Sequence, residues 1–427
     1  MAADLKKIYR AFDPAPLLGE ESDLYVPLDE ARGSSGLVKS LSMPIRLSDK
    51  ATFQLLAGHI GSGKSTELRR VQDALQAGDE KYFTVFCEIL DDIDPSDADF
   101  PEVLLAIIRQ VARDFRERLN IKLKPAYFKQ RWEELKGLLG TEVKLSSLDL
   151  ETGLGKLAAT IKSSPSTRDQ VRKALEPTTD SWIGAANEVL GEAITHVTKT
   201  GYAGLAIIID DLDKLSVEEP SSGGESVAER LFLTRHAQLT AFQCHIICTI
   251  PIALAYSCKE REIANHYGVT APPVVPMTKI FDHAGKKHAP GFEKFRAIIA
   301  RRVQKAGLEE KEVFAGTTVR DQVIKCSGGQ PRFLVTMIRD AFVEGDLPLS
   351  KETIEKVARK ATHSYSRQLR EEHWEIIEQV GRTHKLVRTG HNDSLCMDLL
   401  ANRAILQYLN DEEWYGLNPL LPKPPSR

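Results

Sequence analysis

The 427-residue chain has no apolar run approaching the roughly 20 residues that a membrane helix needs. No membrane partner is therefore expected. Its six cysteines include no C-x-x-C pair. Cys244 and Cys248, four apart in a strand-like run, read as buried free thiols, which fits a reducing cytoplasm. Charge of one sign is not in excess: the net charge is −3 and the pI about 6.4. No global field then draws the chain onto nucleic acid or anionic lipid, although a local basic patch stays open. The opening Met1-Ala2-Ala3-Asp4-Leu5-Lys6-Lys7 has no apolar core of the secretory kind. Leucine-rich, WD and helical repeats are absent, as are nuclease, protease and deaminase signatures. Charged residues at 27% and hydrophobic ones at 42% are ordinary for a globular chain, and the length allows two or three domains.

Against these absences stands Gly58-His59-Ile60-Gly61-Ser62-Gly63-Lys64-Ser65, which matches G-x-x-x-x-G-K-[ST] at every fixed position. The glycines let backbone N–H groups turn inward around a β-phosphate. Lys64 places a charge on the β- and γ-phosphates, and Ser65 offers a hydroxyl to Mg²⁺. The loop as a whole, with Thr66 after it, is the candidate ATP/ADP-binding segment. Phe53-Gln54-Leu55-Leu56-Ala57 reads as the strand before it, and 65–75 as the helix after it, its N-terminus aimed at the phosphates.

A second strand is expected over 82–89 and an amphipathic helix through Phe100, Leu104, Ile107, Ile108, Val111 and Phe115. Residues 120–180 exceed what a plain crossover needs and read as an insertion carrying a small hairpin from 143 to 161 and helices. It is either a structural elaboration or a contact arm. A helix over 182–198 leads into Leu205-Ala206-Ile207-Ile208-Ile209-Asp210-Asp211-Leu212-Asp213, a buried central strand that delivers acids to the ligand crevice. Asp210 would hold the Mg²⁺ shell, and Asp211 would orient or deprotonate the attacking water; the plain alternative is a solvated acidic turn. A helix over 227–241, a strand ending on Thr249 and a short strand between prolines at 272–277 complete an α/β fold with a mostly parallel sheet. From about 285 the pattern is helical. Ser327-Gly328-Gly329-Gln330-Pro331-Arg332 opens a helix in which Arg332 lies at the N-terminus. The helix dipole disfavours a cation there unless an anion is nearby, and a plain exposed arginine is the other reading. Helices over 351–369 and 370–386, then a ribbon through Trp414 and Tyr415, fit a winged helix.

With these residues in hand, the chain resembles the STAND and initiator-like AAA+ ATPases, phosphate-loop proteins with an extra strand between the lysine loop and the acidic strand. The resemblance covers about 45–420 and rests on Gly58 to Ser65, Ile207 to Asp211 and Gly328-Gly329-Gln330-Pro331-Arg332. It implies a lead-in (1–50), a phosphate-loop ATPase core (51–284), a helical lid (285–348), a winged-helix-like domain (349–421) and a tail (422–427). It also implies that Thr249 is the first sensor, that Arg332 is the second, and that ATP and ADP states pack these parts differently. The Asp-Asp pair, where many AAA+ enzymes have Asp-Glu, implies slow hydrolysis. The strand carrying Thr249 runs on as Ile250-Pro251 without the Thr-Thr-Arg of many STAND proteins. Arg261, Arg301 and Arg302 are the candidates for an inter-subunit arginine. The implied role is a switch without its own output, self-assembling or acting on a separately encoded effector, as in bacterial antiviral defence. The alternative is an initiator- or transposition-type ATPase that acts on DNA through the winged helix.

Overall fold

The computed structural model describes residues 2–17, 23–34, 36–139, 150–220, 223–410 and 412–424. Helices α1 (Ala2–Ala11), α2 (Asp29–Arg32) and α3 (Leu37–Leu47) precede strand β1 (Phe53–Gly58), which feeds α4 (Lys64–Gln76). Strand β2 (Tyr82–Glu88) leads to α5 (Phe100–Leu119), which Asp99 and Glu102 open with a reciprocal capping box. After α6 (Ala126–Leu139), α7 (Leu150–Ser163), α8 (Pro165–Leu175) and α9 (Thr179–Lys199) comes β3 (Gly204–Asp210). Helices α10 (Val227–Glu229) and α11 (His236–Leu239) lead to β4 (His245–Thr249). Helices α12 (Ile252–Ala255) and α13 (Glu260–Tyr267) lead to β5 (Val274–Val275).

The five strands form one parallel sheet in the order β2-β3-β4-β1-β5. β4 is therefore the extra strand between the loop strand and the acidic strand, the arrangement expected of this α/β phosphate-loop fold. Every residue of β3 is buried, as befits a strand covered on both faces. The register sets Leu56 beside Thr249 and Glu88 beside Asp210. The carboxyl ends of β1, β3 and β4 thus lie along one edge.

Helices α3 and α4 cover one face of the sheet. The other face carries α5 and α9, and the insertion shares their core: Phe128, Trp132, Leu157, Ile161, Val171 and Leu175 pack with the strands. The hairpin expected from 143 falls partly outside the described residues. Where its second half was expected, α7 runs unbroken through Gly153 and Gly155. Leu154, Leu157, Ala158 and Ile161 are all buried at helical spacing, and that apolar face overrides the glycines. The single helix expected over 227–241 is also replaced. A π-helical turn, Arg230–Thr234, joins α10 to α11. Leu231, Phe232 and Leu233 are all buried, and three consecutive residues cannot share one face of a regular α-helix.

A second core is helical. It is built from α14 (Ala289–Lys305), α15 (Glu310–Val313), α16 (Thr317–Cys326), α17 (Pro331–Glu344) and α18 (Lys351–Gln368). α1 belongs here: Ile8 and Phe12 are fully buried in it, and Phe12 meets Phe342 edge-on at 5.5 Å. The lead-in therefore spans both the sheet, through α3, and the lid helices. The chain then makes α19 (His373–Thr383), α20 (Asp393–Ala401) and an antiparallel ribbon of β6 (Ile405–Leu409) and β7 (Glu413–Leu417). This helix–ribbon packs against Ile252 and Ala253 of α12. No described helix is long and apolar enough to cross a membrane.

Candidate functional site

The loop between β1 and α4 takes the shape its glycines permit. Gly61 and Gly63 have φ of +85° and +106°, outside the usual L-residue range. A Cβ on Gly61 would lie 2.7 Å from Gln330 Nε2, and one on Gly63 2.8 Å from Arg32 Nη2. Lys64 is 4% exposed. Its Nζ donates to Gly58 O at 2.6 Å and His59 O at 2.9 Å, and pairs with Asp213 at 2.8 Å. Asp213 therefore holds the lysine where the motif would have it meet phosphate.

β3 ends on Asp210, and Asp211 follows at φ +72°, a left-handed turn that aspartate tolerates better than most residues. The turn brings ligand atoms of Asp210, Asp211 and Asp213 within 4.8 Å of one another. Asp210 is buried, and its carboxyl is pushed up to about 6, first by burial and next by the Asp213 charge, against a hydrogen bond from Ser65. Asp211 pairs with Lys214 at 2.5 Å. Thr249 is fully buried behind this turn, its Oγ1 accepting from the Asp213 N–H at 3.2 Å. Three close carboxylates, with the Ser65 hydroxyl on Asp210, form an oxygen donor set suited to Mg²⁺.

The cleft in front of the loop encloses about 830 Å³, open solvent included. The turn before α17 roofs it: Gln330 Nε2 donates to Ile60 O, and the Arg332 N–H reaches Gly61 O at 3.4 Å. Arg332 lines the cleft. Buried Arg32 donates to the Ser62 carbonyl and pairs with Glu67 at 2.9 Å, and Glu67 also pairs with Arg70 at 2.8 Å. Beyond the charged end the wall is apolar: Pro14, Pro16, Leu24, Val26 and Leu28 of the lead-in face Ile298 of α14 and Val335 of α17.

No family model matches the chain, and no curated protein does. Among solved structures it is similar to the crystal structure of Cdc6p from Pyrobaculum aerophilum. The match has 11% sequence identity and a TM-score of 0.39, and covers 96% of this chain and 94% of that one. A superposition this loose leaves the reading of the site to its own geometry.

Of the residues singled out from sequence, Ile60, Gly61, Gly63, Lys64, Ser65, Thr66, Asp211 and Arg332 line one cleft. Gly58, Ser62, Asp210 and Thr249 stand directly behind that wall, Gly58 through its carbonyl on Lys64 and Asp210 through Ser65. The His59 side chain turns away, into the helix–ribbon, so only its backbone serves the cleft. The three arginines proposed for an inter-subunit contact separate. Arg302 is buried and lines the cleft of its own chain. Arg301 donates to the carbonyls of Asp23 and Tyr25, and Arg261 lies on the exposed face of α13 beside Arg388. Sequence reasoning assigned no role to Arg32, Asp213, Gln330 or the apolar wall. Asp213 and Gln330 sat inside motifs already quoted, whereas Arg32 lies in the lead-in, where no motif was quoted.

Proposed function

We propose that the chain binds ATP and ADP with Mg²⁺ and hydrolyses ATP slowly, as an AAA+-type switch. The observation that carries this reading is the junction at one cleft of the Lys64 loop, the acidic turn and the Gln330–Arg332 roof. Loop N–H groups and Lys64 bind the β- and γ-phosphates, with Lys64 leaving Asp213 to do so. Ser65 and Asp210 would hold Mg²⁺, which would supply positive charge beside the phosphates. Asp211, released from Lys214, orients and deprotonates the attacking water. The apolar wall of lead-in and lid takes the base, and Arg332 reports the γ-phosphate to the lid. The short aspartate base supports slow turnover. As a resembling STAND switch it acts in the cytoplasm by assembling with itself or by controlling a separately encoded effector, as in antiviral defence.

A second reading has an observation of its own. Three helices followed by an antiparallel ribbon, α18 to β7, have the order of a winged helix, which supports an initiator-type ATPase acting on DNA. Titration calorimetry with ATP and ADP, followed by phosphate release, tests the common core. A protein that binds neither nucleotide overturns it. DNA affinity falling steeply between about 50 and 200 mM salt selects the second reading over the first.

A further inference from the structure

His59 stands inside the phosphate loop, yet its ring is fully buried against the helix–ribbon. Nδ1 lies 3.2 Å from Leu400 O, and Nε2 lies 2.9 Å from the Gln407 N–H. The second contact fixes the tautomer. Nε2 must accept, so the proton sits on Nδ1 and is donated to the Leu400 carbonyl. Burial, helped by the charges of Lys64 and Arg403, pushes the imidazole down to about 3 and keeps it neutral. The backbone carbonyl of the same residue accepts from Lys64 Nζ at 2.9 Å. One residue thus links the loop lysine to the ribbon.

The ribbon is tied at the same place to two further elements. Gln407 O accepts from the Met277 N–H at 3.0 Å, just past β5. The Tyr408 hydroxyl donates to Gly328 O at 2.7 Å, in the turn that roofs the cleft. That turn returns to the loop through Gln330 and Ile60. Loop, ribbon and roof therefore close a ring of hydrogen bonds, buried on the ribbon side, with no side-chain slack at Gly328, where a Cβ would lie 2.8 Å from Leu406.

We propose that residues 407–408 of the ribbon are the read-out of the phosphate loop, with His59 as the positioning residue between them, so that nucleotide phosphates in the loop and docking of the helix–ribbon strengthen each other. The inference rests on the nucleotide reading above. Phosphates held by the loop N–H groups fix the loop backbone at His59, and the pinned ring passes that order to Gln407. Linkage then requires that docking alter nucleotide affinity by the factor that nucleotide alters docking. Arg332 answers only to a γ-phosphate, but this contact answers to any nucleotide filling the loop, so ADP engages it as ATP does.

Amide hydrogen exchange across residues 400–417 of the full chain, with and without saturating Mg²⁺–ADP, tests the coupling alongside calorimetry on the same samples. ADP is expected to slow exchange at 405–409 in the wild type. His59→Ala should bind ADP roughly 2- to 12-fold more weakly, the span of one net hydrogen bond, and show no slowing at saturation. Tyr408→Phe, outside the cleft and conservative in shape, should weaken ADP in the same direction, which a purely structural role would not do. ADP binding to the wild type without slower exchange, or equal slowing in folded His59→Ala, overturns the coupling and leaves the nucleotide reading standing. Should His59→Ala fail to fold, unchanged ADP affinity in Tyr408→Phe overturns it. A wild type that binds no nucleotide removes both.

Discussion

The two ends of the cleft are built in opposite ways. The phosphate end is made of short, contiguous segments, 58–66 and 210–214, whose charged groups pair with one another: Lys64 with Asp213, Asp211 with Lys214. The end proposed for the base is assembled from the lead-in and from α14 and α17, about 300 residues away, and its wall is apolar. One end recognises by direction and charge, the other by burial. The first must be dismantled internally before a ligand enters; the second needs only to lose water. Substitutions at the two ends should therefore fail differently.

The largest effect is expected at Lys64. Lys64→Ala removes two charge-assisted contacts to phosphate, at about 1.5–3 kcal/mol each, and calorimetry should show ATP and ADP binding all but lost. Asp211→Asn should leave ATP affinity near wild type and lower phosphate release by about 10²–10⁴-fold; wild-type turnover in that variant would remove Asp211 from the chemistry. Arg332→Ala should cost about 1.5–3 kcal/mol of ATP affinity with ADP nearly unchanged, if the contact proposed for Arg332 is to the γ-phosphate. Val335→Ala sharpens the contrast from the other end. It should weaken ATP and ADP equally, by about 1 kcal/mol for the lost apolar contact, and a difference between the two nucleotides would place Val335 nearer the phosphates.

The smallest effect is a pH dependence. The Asp210 carboxyl, raised to about 6, keeps a proton in the folded protein that the unfolded chain has already released near pH 4. The empty protein is therefore more stable below that window and loses this contribution as pH rises from about 4 to 6. Mg²⁺ needs the carboxylate, so Mg²⁺–ATP affinity should fall about fourfold from pH 7 to 5.5. Asp210→Asn should abolish both trends; an unaltered melting profile would show that another group titrates.

The same contrast explains what could be read from the sequence. Gly58 to Ser65 was legible because backbone N–H groups can surround a phosphate only with glycines at fixed spacing. The place of Asp210 was legible because the apolar run 205–209 stops there, at the end of a strand buried on both faces. The apolar wall has no such constraint: Leu24, Ile298 and Val335 look like any core residues until the lid folds over the lead-in. Arg32 is 35 residues from Glu67, and no local pattern joins them. At Gly153 and Gly155 local propensity misled, because burial of Leu154, Leu157 and Ile161 decided the helix. His59 occupied a position the motif leaves free, so nothing in the motif distinguished a side chain facing the ligand from one turned to the ribbon.

The place of α1 has a consequence for synthesis. Ile8 and Phe12 are synthesised before the sheet, yet Phe342, the ring that Phe12 meets, comes some 330 positions later. At about 5–20 residues per second, these apolar side chains wait roughly 15–65 s for their partners. Throughout that interval the sheet can form around β1 while Ile8 and Phe12 lack the helical core that buries them. The apolar wall of the cleft thus stays half-finished until α14 and α17 follow, and the cleft acquires its floor long before its ceiling.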